Sequence, residues 1–353
     1  MQIPGLIDPH VHVREPGGEH KEDWGSCTSA ALAGGVTIVL AMPNTKPSVT
    51  DRSTLQQTLS AASGKARCDY AQYLGAGLEN LANASELAPN VAGLKMYLDQ
   101  TYGTLKLNDM SEWMQHFQNW PSVFPLCAHA EGAALATTIL LAELYNRPVH
   151  LCHISLRSEI LLIKAAKARG IPVTCEVTPH HLFLCQDDIP SIGSGRAEVR
   201  PRLGTRADVQ ALWDNLDSID CFATDHAPHT LAEKDSDNPP PGYPGLESAL
   251  PLYLTAVSEG HLTMEDIITR CVTNPRRIFH LPEQPETFVE IDPHVHWNFS
   301  AANTFTRCGW SPFEGYPMTG RVESVTLRGE MVFKAGKVLA RPGSGRNLRP
   351  ILS

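Results

Sequence analysis

The chain has 353 residues, 42% apolar and 19% charged, with a net charge of -9, a balance that excludes a disordered chain. The acidic excess argues against a nucleic-acid partner, because phosphate binding needs a basic face; a small anion held by a few arginines in one cleft stays open. Nine cysteines without a CxxC pair read as reduced thiols, and neither the start MQIPGLID nor the weakly polar run 133–144 forms a signal core or a membrane span, so a soluble, cytoplasmic protein is expected.

In chain order, apolar runs of strand length occur at 5–12, 36–41, 69–75, 92–98, 123–129, 149–153, 173–177 and 220–224. Between them, residues 55–63, 110–117, 133–144, 158–169 and 209–216 carry apolar side chains three and four apart, the helical spacing. Eight strand-helix units predict an α/β fold of the (β/α)8 barrel type. An open doubly wound sheet is the alternative, weakened because no GxGxxG or P-loop follows a strand. The barrel is expected to occupy residues 1–282. Beyond Pro282 the pattern changes to short alternating stretches at 287–291, 295–298, 321–327, 331–334 and 337–340, with a Lys-Ala-Gly-Lys hairpin signal. This predicts a small β-rich appendage over 283–342, and the Pro-, Gly- and Arg-rich segment 343–353 reads as a flexible tail or linker.

Barrel enzymes carry their reactive groups at the C-terminal ends of the strands. The first strand ends in His10-Val11-His12, whose alternation sends both imidazoles to one side, where they can share a metal ion. The fourth carries Lys95 in an otherwise apolar run, the fifth ends in His129, the sixth in Cys152-His153, and the eighth runs into Thr224-Asp225-His226. Taken singly, such residues are ordinary core or surface side chains; their recurrence at successive strand ends points to a metal centre. The pentapeptide DPHVH occurs at 8–12 and again at 292–296. The second copy lies in the appendage without a lysine or histidine partner at strand-end spacing, and is expected to be an exposed strand.

The set HxH, Lys, His, His, Asp resembles the amidohydrolase superfamily. More narrowly, DPHVHVREPG, AMPNT, GLKMYL, AHAE, CHIS, CEVTPHHL and TDHAPH resemble dihydroorotases, most closely the dihydroorotase domain of the animal multifunctional pyrimidine-synthesis proteins, which also carry carbamoyl-phosphate synthetase and aspartate transcarbamoylase. The likeness runs from Pro4 to Leu339. It implies a zinc enzyme that interconverts N-carbamoyl-L-aspartate and L-dihydroorotate in pyrimidine biosynthesis. His10, His12 and Asp225 would bind one zinc, His129 and His153 the second, and a carboxylated Lys95 would bridge them. Asp225 would double as the proton shuttle. Carboxylation requires a free amine, so a lowered Lys95 pKa is expected.

The resemblance also implies a third metal position at Cys152 and Glu176. Strand alternation opposes it, since Cys152 should point away from His153 unless the strand end is distorted. Arg14, Asn44, Arg200 and His229 are the expected anchors of the substrate carboxylate, an arginine fork matching a carboxylate bidentately. Thr101 and Tyr102 sit in a polar segment placed where a lid belongs, and Pro241 and Gly242 would wall the pocket. A homodimer is expected. Because HxH begins at position ten and the tail is linker-like, the chain is further expected to be one module of a longer polypeptide. Allantoinase or another cyclic amidohydrolase is the nearest competing activity, and a catalytically silent scaffold is the other.

Overall fold

A computed structural model describes residues 1–350. Its strands are β1 (Gln2–Pro4), β2 (Leu6–Val11), β3 (Val36–Ala41), β4 (Asp69–Gln72), β5 (Leu74–Gly75), β6 (Leu94–Tyr97), β7 (Leu126–His129), β8 (Val149–Leu151), β9 (Val173–Val177), β10 (Cys221–Phe222), β11 (Phe288–Asn298), β12 (Pro317–Leu327), β13 (Glu330–Lys334) and β14 (Lys337–Val338). Strands β2 to β4 pair in parallel, as do β5 to β10. Tyr73 joins β4 to β5, so the two act as one bent barrel strand. The ring closes where the His12 amide donates to the His226 carbonyl (2.7 Å) and Val11 bridges His226. These are the eight strands of the expected barrel.

Alternation along the strands divides the core. Leu94, Met96, Ala128 and Val177 face outward into the main apolar cluster under the helices. Ile7, Ile38, Leu40, Ala71, Tyr73, Cys127 and Cys152 fill the lumen, which Phe279 and Leu281 plug from below. Lys95, His129 and Glu176 share the inward parity and lie above that plug. The surrounding helices start at side-chain caps: Asp23 before Trp24–Ala33, Asp51 before Arg52–Lys65, Asp109 before Met110–Asn119 and Thr205 before Arg206–Trp213. Each cap oxygen accepts a backbone N–H that the first turn would otherwise leave unpaired.

Several boundaries differ from the sequence reading. The fifth barrel strand begins at Leu126, since Pro121 and Pro125 flank a turn that leaves Val123 exposed. The eighth is regular only over Cys221–Phe222, because Thr224 turns to bond Asp8. The appendage is a five-stranded antiparallel sheet in the order β1-β11-β12-β13-β14. Residues 287–291 and 295–298 form one strand, with a register shift between Asp292 and His296. Gln2–Pro4 pairs with Phe288–Glu290, so the chain's first residues belong to this sheet and not to the barrel. The hairpin between β13 and β14 turns through Ala335 and Gly336, both at positive φ, which matches strand twist.

The segment after 342 is not a loose tail up to residue 350. Gly345 donates to Ala66 O, Arg346 O accepts from Tyr70 N, Leu348 N donates to Tyr70 O, and the Arg349 guanidinium caps the Phe279 and His280 carbonyls. Leu348 packs on the lumen plug. Backbone carbonyls of Ala66, Tyr70, Phe279 and His280 and the Tyr70 N–H supply partners that composition does not reveal. Residues 351–353 of the expected tail lie outside the described residues.

Candidate active site

The strand ends bring the predicted ligands together. His10 and His12 project from β2 on the same side, with their rings 5.4 Å apart, while Val11 between them packs outward. His10 Nδ1 lies 2.5 Å from Glu176 Oε1, and His12 Nδ1 lies 2.7 Å from Asn44 Oδ1. Both partners accept, so each imidazole donates from Nδ1 and turns an Nε2 lone pair toward Asp225 Oδ1, at 3.2 Å and 3.0 Å. Two lone pairs and a carboxylate oxygen converging without a proton between them describe a cation site.

His129 Nδ1 and His153 Nε2 meet at 2.8 Å, and the buried His129 Nε2 and His153 Nδ1 have no hydrogen-bond partner. Orphaned buried imidazole nitrogens are costly unless something coordinates them. The donor set fits a metal ion at His10, His12 and Asp225, and the His129/His153 pair brings two more buried imidazoles to the same cavity.

Electrostatics agree. Burial pushes His12 down to about 4 and His129 to about 3, with the Lys95 charge adding to the latter, and burial with His129 takes His153 well below its ordinary value. All three are neutral near pH 7, the form that ligates. Burial opposes ionisation of Asp225, yet wherever His10, His12 or His153 takes up a proton it outweighs that cost and holds the carboxyl well below its ordinary range. Lys95 departs from expectation. Burial lowers it, but the facing Cys152 and Glu176 prevail and raise it, with Nζ donating to Cys152 Sγ at 2.7 Å. In this arrangement the side chain is an ammonium, not the free amine anticipated.

Cys152 and His153 both reach the cavity, contrary to simple alternation. His150 and Cys152 keep the inward parity of β8, and His153 follows because its backbone takes φ +36°. Arg14 and Asp225 are likewise left-handed, at +69° and +45°; such non-glycine residues store strain that cluster at functional sites commonly shows. His10, Cys152 and Glu176 form a second group whose ligand atoms lie within 4.8 Å of one another. Glu176, however, already bonds His10 through one oxygen and His150 Nε2 through the other (3.0 Å), and His150 Nδ1 rests 2.9 Å from Thr174 Oγ1.

Above the gathered imidazoles and Asp225, the pocket is lined by Arg14, Asn44, Tyr97, Thr101, Tyr102, Arg200, Ala227, Pro241 and Gly242. The Arg14 guanidinium donates to Pro228 O and its Nη2 lies 3.0 Å from His229 Nε2. Arg200 is tied to Glu198 Oε2 and Val199 O. At Gly242 a Cβ would fall 2.4 Å from Ala227 O, so only glycine fits. Tyr102 is folded inward: its carbonyl accepts from Asn44 Nδ2, and its ring lies 5.2 Å from the Arg14 guanidinium. The free space beneath it is about 20 Å³, room for one or two waters. Tyr97, whose buried hydroxyl is unpaired, together with His150 and Lys21, belongs to the site but was not singled out by sequence. Inward parity with Lys95 could have found Tyr97. The second DPHVH lies far off in β11, with His294 and His296 exposed and His296 bonded to Thr319.

An eight-stranded barrel with paired imidazoles, a buried lysine and an aspartate at one rim defines the class of barrel hydrolases able to hold a metal ion. Comparison with known proteins narrows this. A family profile described as dihydro-orotase-like matches residues 1–135. The chain is 33% identical to a dihydroorotase of Pyrococcus furiosus across 98% of its own length and 84% of the relative's. It is 54% identical, across 99% of its length, to the multifunctional protein CAD of Squalus acanthias, of which it spans 16%. Among solved structures, L-hydantoinase from Arthrobacter aurescens superposes with a TM-score of 0.94 at 23% identity, covering 99% of this chain and 89% of that one. An inactive dihydroorotase-like domain of a Chaetomium thermophilum CAD-like protein superposes with 0.85 at 30% identity over 99% of both. The chain belongs to the dihydroorotase family.

Proposed function

We propose that the chain is a zinc-dependent dihydroorotase, closing N-carbamoyl-L-aspartate to L-dihydroorotate and reopening it. The observation that carries the reading is one cavity in which neutral imidazoles and Asp225 face Arg14, Asn44 and Arg200. A ring amide presented to the metal side would leave its carboxylate on the arginine side. An allantoin ring has no carboxylate to use this anchor, which favours dihydroorotate.

His10, His12 and Asp225 would hold one zinc, His129 and His153 another, and Lys95 would join them once CO2 has added to its amine. Two such ions supply an acidified water and a Lewis acid for the carbonyl. Lys95 would need to be a neutral amine to take up CO2, a form that bound cations beside it would favour over the ammonium sustained by Cys152 and Glu176. Asp225, whose carboxyl is held well below its ordinary range, would accept the water's proton and return it to the ring nitrogen as the amide bond breaks. Asn44 holds the His12 tautomer, and Glu176 holds that of His10. A third metal at Cys152 and Glu176 would compete with His10 and His150 for the two Glu176 oxygens; we therefore assign Glu176 to orienting His10. The small space under Tyr102 requires the 99–105 segment to lift before substrate enters.

By kinship with CAD we also propose that the chain works as one module beside carbamoyl-phosphate synthetase and aspartate transcarbamoylase activities, as a homodimer in the cytoplasm. A direct test is dihydroorotate hydrolysis at mildly alkaline pH by protein of measured metal content. Turnover that requires the ring carboxylate and shows a raised KM in Arg14→Ala supports the reading. Equal turnover of rings lacking the carboxylate would refute it, and an inert but fully metallated protein would favour the scaffold alternative.

A further inference from the structure

Lys21 lies outside every motif used above, yet its buried ammonium touches His229, one residue of the expected carboxylate anchor, and Tyr102 of the 99–105 segment. Nζ lies 2.8 Å from Glu233 Oε1, 3.0 Å from His229 Nδ1 and 3.3 Å from the Tyr102 hydroxyl oxygen. Three N–H donors thus meet three acceptors. Glu233 is itself fixed, accepting from Thr230 N and Thr230 Oγ1 at the start of the short helix Leu231–Lys234.

An ammonium has no lone pair, so the nitrogen facing it must be the bare one. Among the described residues, His229 Nδ1 has no other hydrogen-bond neighbour. His229 Nε2 has two: the Pro241 carbonyl at 3.0 Å, which only accepts, and Arg14 Nη2 at 3.0 Å, which only donates. With the proton on Nε2, the bonds to Lys21 and Pro241 are both satisfied. With it on Nδ1, an N–H would confront the ammonium and the Pro241 bond would be lost. A doubly protonated ring is disfavoured by burial and by Arg14, Lys21 and Lys234, which push His229 far below its ordinary value.

The consequence falls on Arg14. Its Nη2 faces an Nε2–H and not a lone pair, so His229 does not consume that donor, and Nε is already spent on Pro228 O. We propose that Lys21 is a positioning residue that fixes His229 as the Nε2-protonated tautomer and thereby leaves the Arg14 fork directed at the carboxylate of an incoming substrate. Without Lys21, His229 can shift its proton to Nδ1 and accept from Arg14, which would tie the guanidinium down. The role in binding rests on the dihydroorotase reading; the tautomer does not.

The test is nitrogen NMR of the substrate-free protein with 15N-labelled histidine, the His229 signals being assigned by their loss in His229→Asn. The proposal expects an unprotonated Nδ1 and a protonated Nε2 in the parent, retention in Lys21→Arg, and loss of that preference in Lys21→Met. In kinetics, Lys21→Met raises KM for dihydroorotate about tenfold, the worth of a hydrogen bond to a charged group, with a smaller change in kcat. A proton on Nδ1 in the parent overturns the proposal even if Lys21→Met fails to fold, as does an unchanged tautomer in Lys21→Met. Correct tautomers with no turnover of dihydroorotate would instead refute the reading of the substrate.

Discussion

Replacing Glu176 by glutamine keeps its shape and removes its charge, which makes it the sharpest probe of how the metal ligands are aimed. Both oxygens are engaged, Oε1 with His10 Nδ1 at 2.5 Å and Oε2 with His150 Nε2 at 3.0 Å. The amide has one acceptor and one donor, so one histidine must adapt. His150 can, because Thr174 Oγ1 on its far side serves as donor or acceptor; His10 cannot without turning a proton toward Asp225. The glutamine oxygen therefore stays on His10, and the loss is the difference between a charge-assisted bond and a neutral one. That difference is about 1 to 1.5 kcal/mol, or about tenfold in zinc affinity, at the lower end of what loss of a ligand's orienting partner costs. Competition against a chelator of known affinity measures it. Glu176→Ala, which strands two buried N–H groups, should lose more affinity and also melt earlier. An unchanged zinc affinity in Glu176→Gln would refute the reasoning, and stoichiometric loss of one ion with the others retained would restore Glu176 as a ligand.

Further outcomes are expected. Asp8 accepts from His10 N, Thr224 N and Thr224 Oγ1; Asp8→Ala leaves buried donors unpaired where the barrel closes and should cost about 2 to 4 kcal/mol in urea unfolding. In metal-stripped protein, His12 and His129 titrate lower folded than unfolded, at about 4 and 3. The unfolded chain therefore binds the extra protons, and stability is intact above about pH 6.5 and lost as pH falls toward 4. Denaturation at pH 8 and pH 4.5 should differ by about 2 to 3 kcal/mol for each of the two histidines; a flat profile contradicts their burial as neutral rings. Arg14→Ala should raise KM for dihydroorotate by about 10- to 150-fold, the range for a lost charged hydrogen bond, with a lesser effect on kcat. Tyr102→Phe keeps the ring over Arg14 and should change kcat/KM by less than about tenfold, since it removes a single 3.3 Å contact to Lys21.

That His10, His12, Lys95, His129, His153 and Asp225 gather at one rim was legible because chemistry restricts the pattern: a histidine pair at spacing two, and a lysine, two histidines and an aspartate at strand ends have few other uses together. What stayed hidden depends on backbone detail. Cys152 enters the lumen because His150 and Cys152 set the inward parity, and His153 joins them only through its left-handed backbone, which no residue identity announces. His150 and Lys21 carry partners supplied by distant segments, Thr174 and Glu176 for the first, Tyr102, His229 and Glu233 for the second, so each alone looks like an isolated polar side chain. The docked 343–350 segment was misread because its composition suits a linker, whereas its backbone finds open hydrogen-bonding positions on Tyr70 and Ala66. The raised Lys95 reflects Glu176 and Cys152 beside it, a juxtaposition across β6, β8 and β9 that the sequence does not place.

Metal content and dihydroorotate hydrolysis measured together on the parent and on Lys95→Ala, purified without added short carboxylic acids, test the central claim most directly. About two zinc ions per chain and turnover in the parent, with both lost in Lys95→Ala, is the predicted result. A Lys95→Ala protein that kept its zinc and full activity would contradict it.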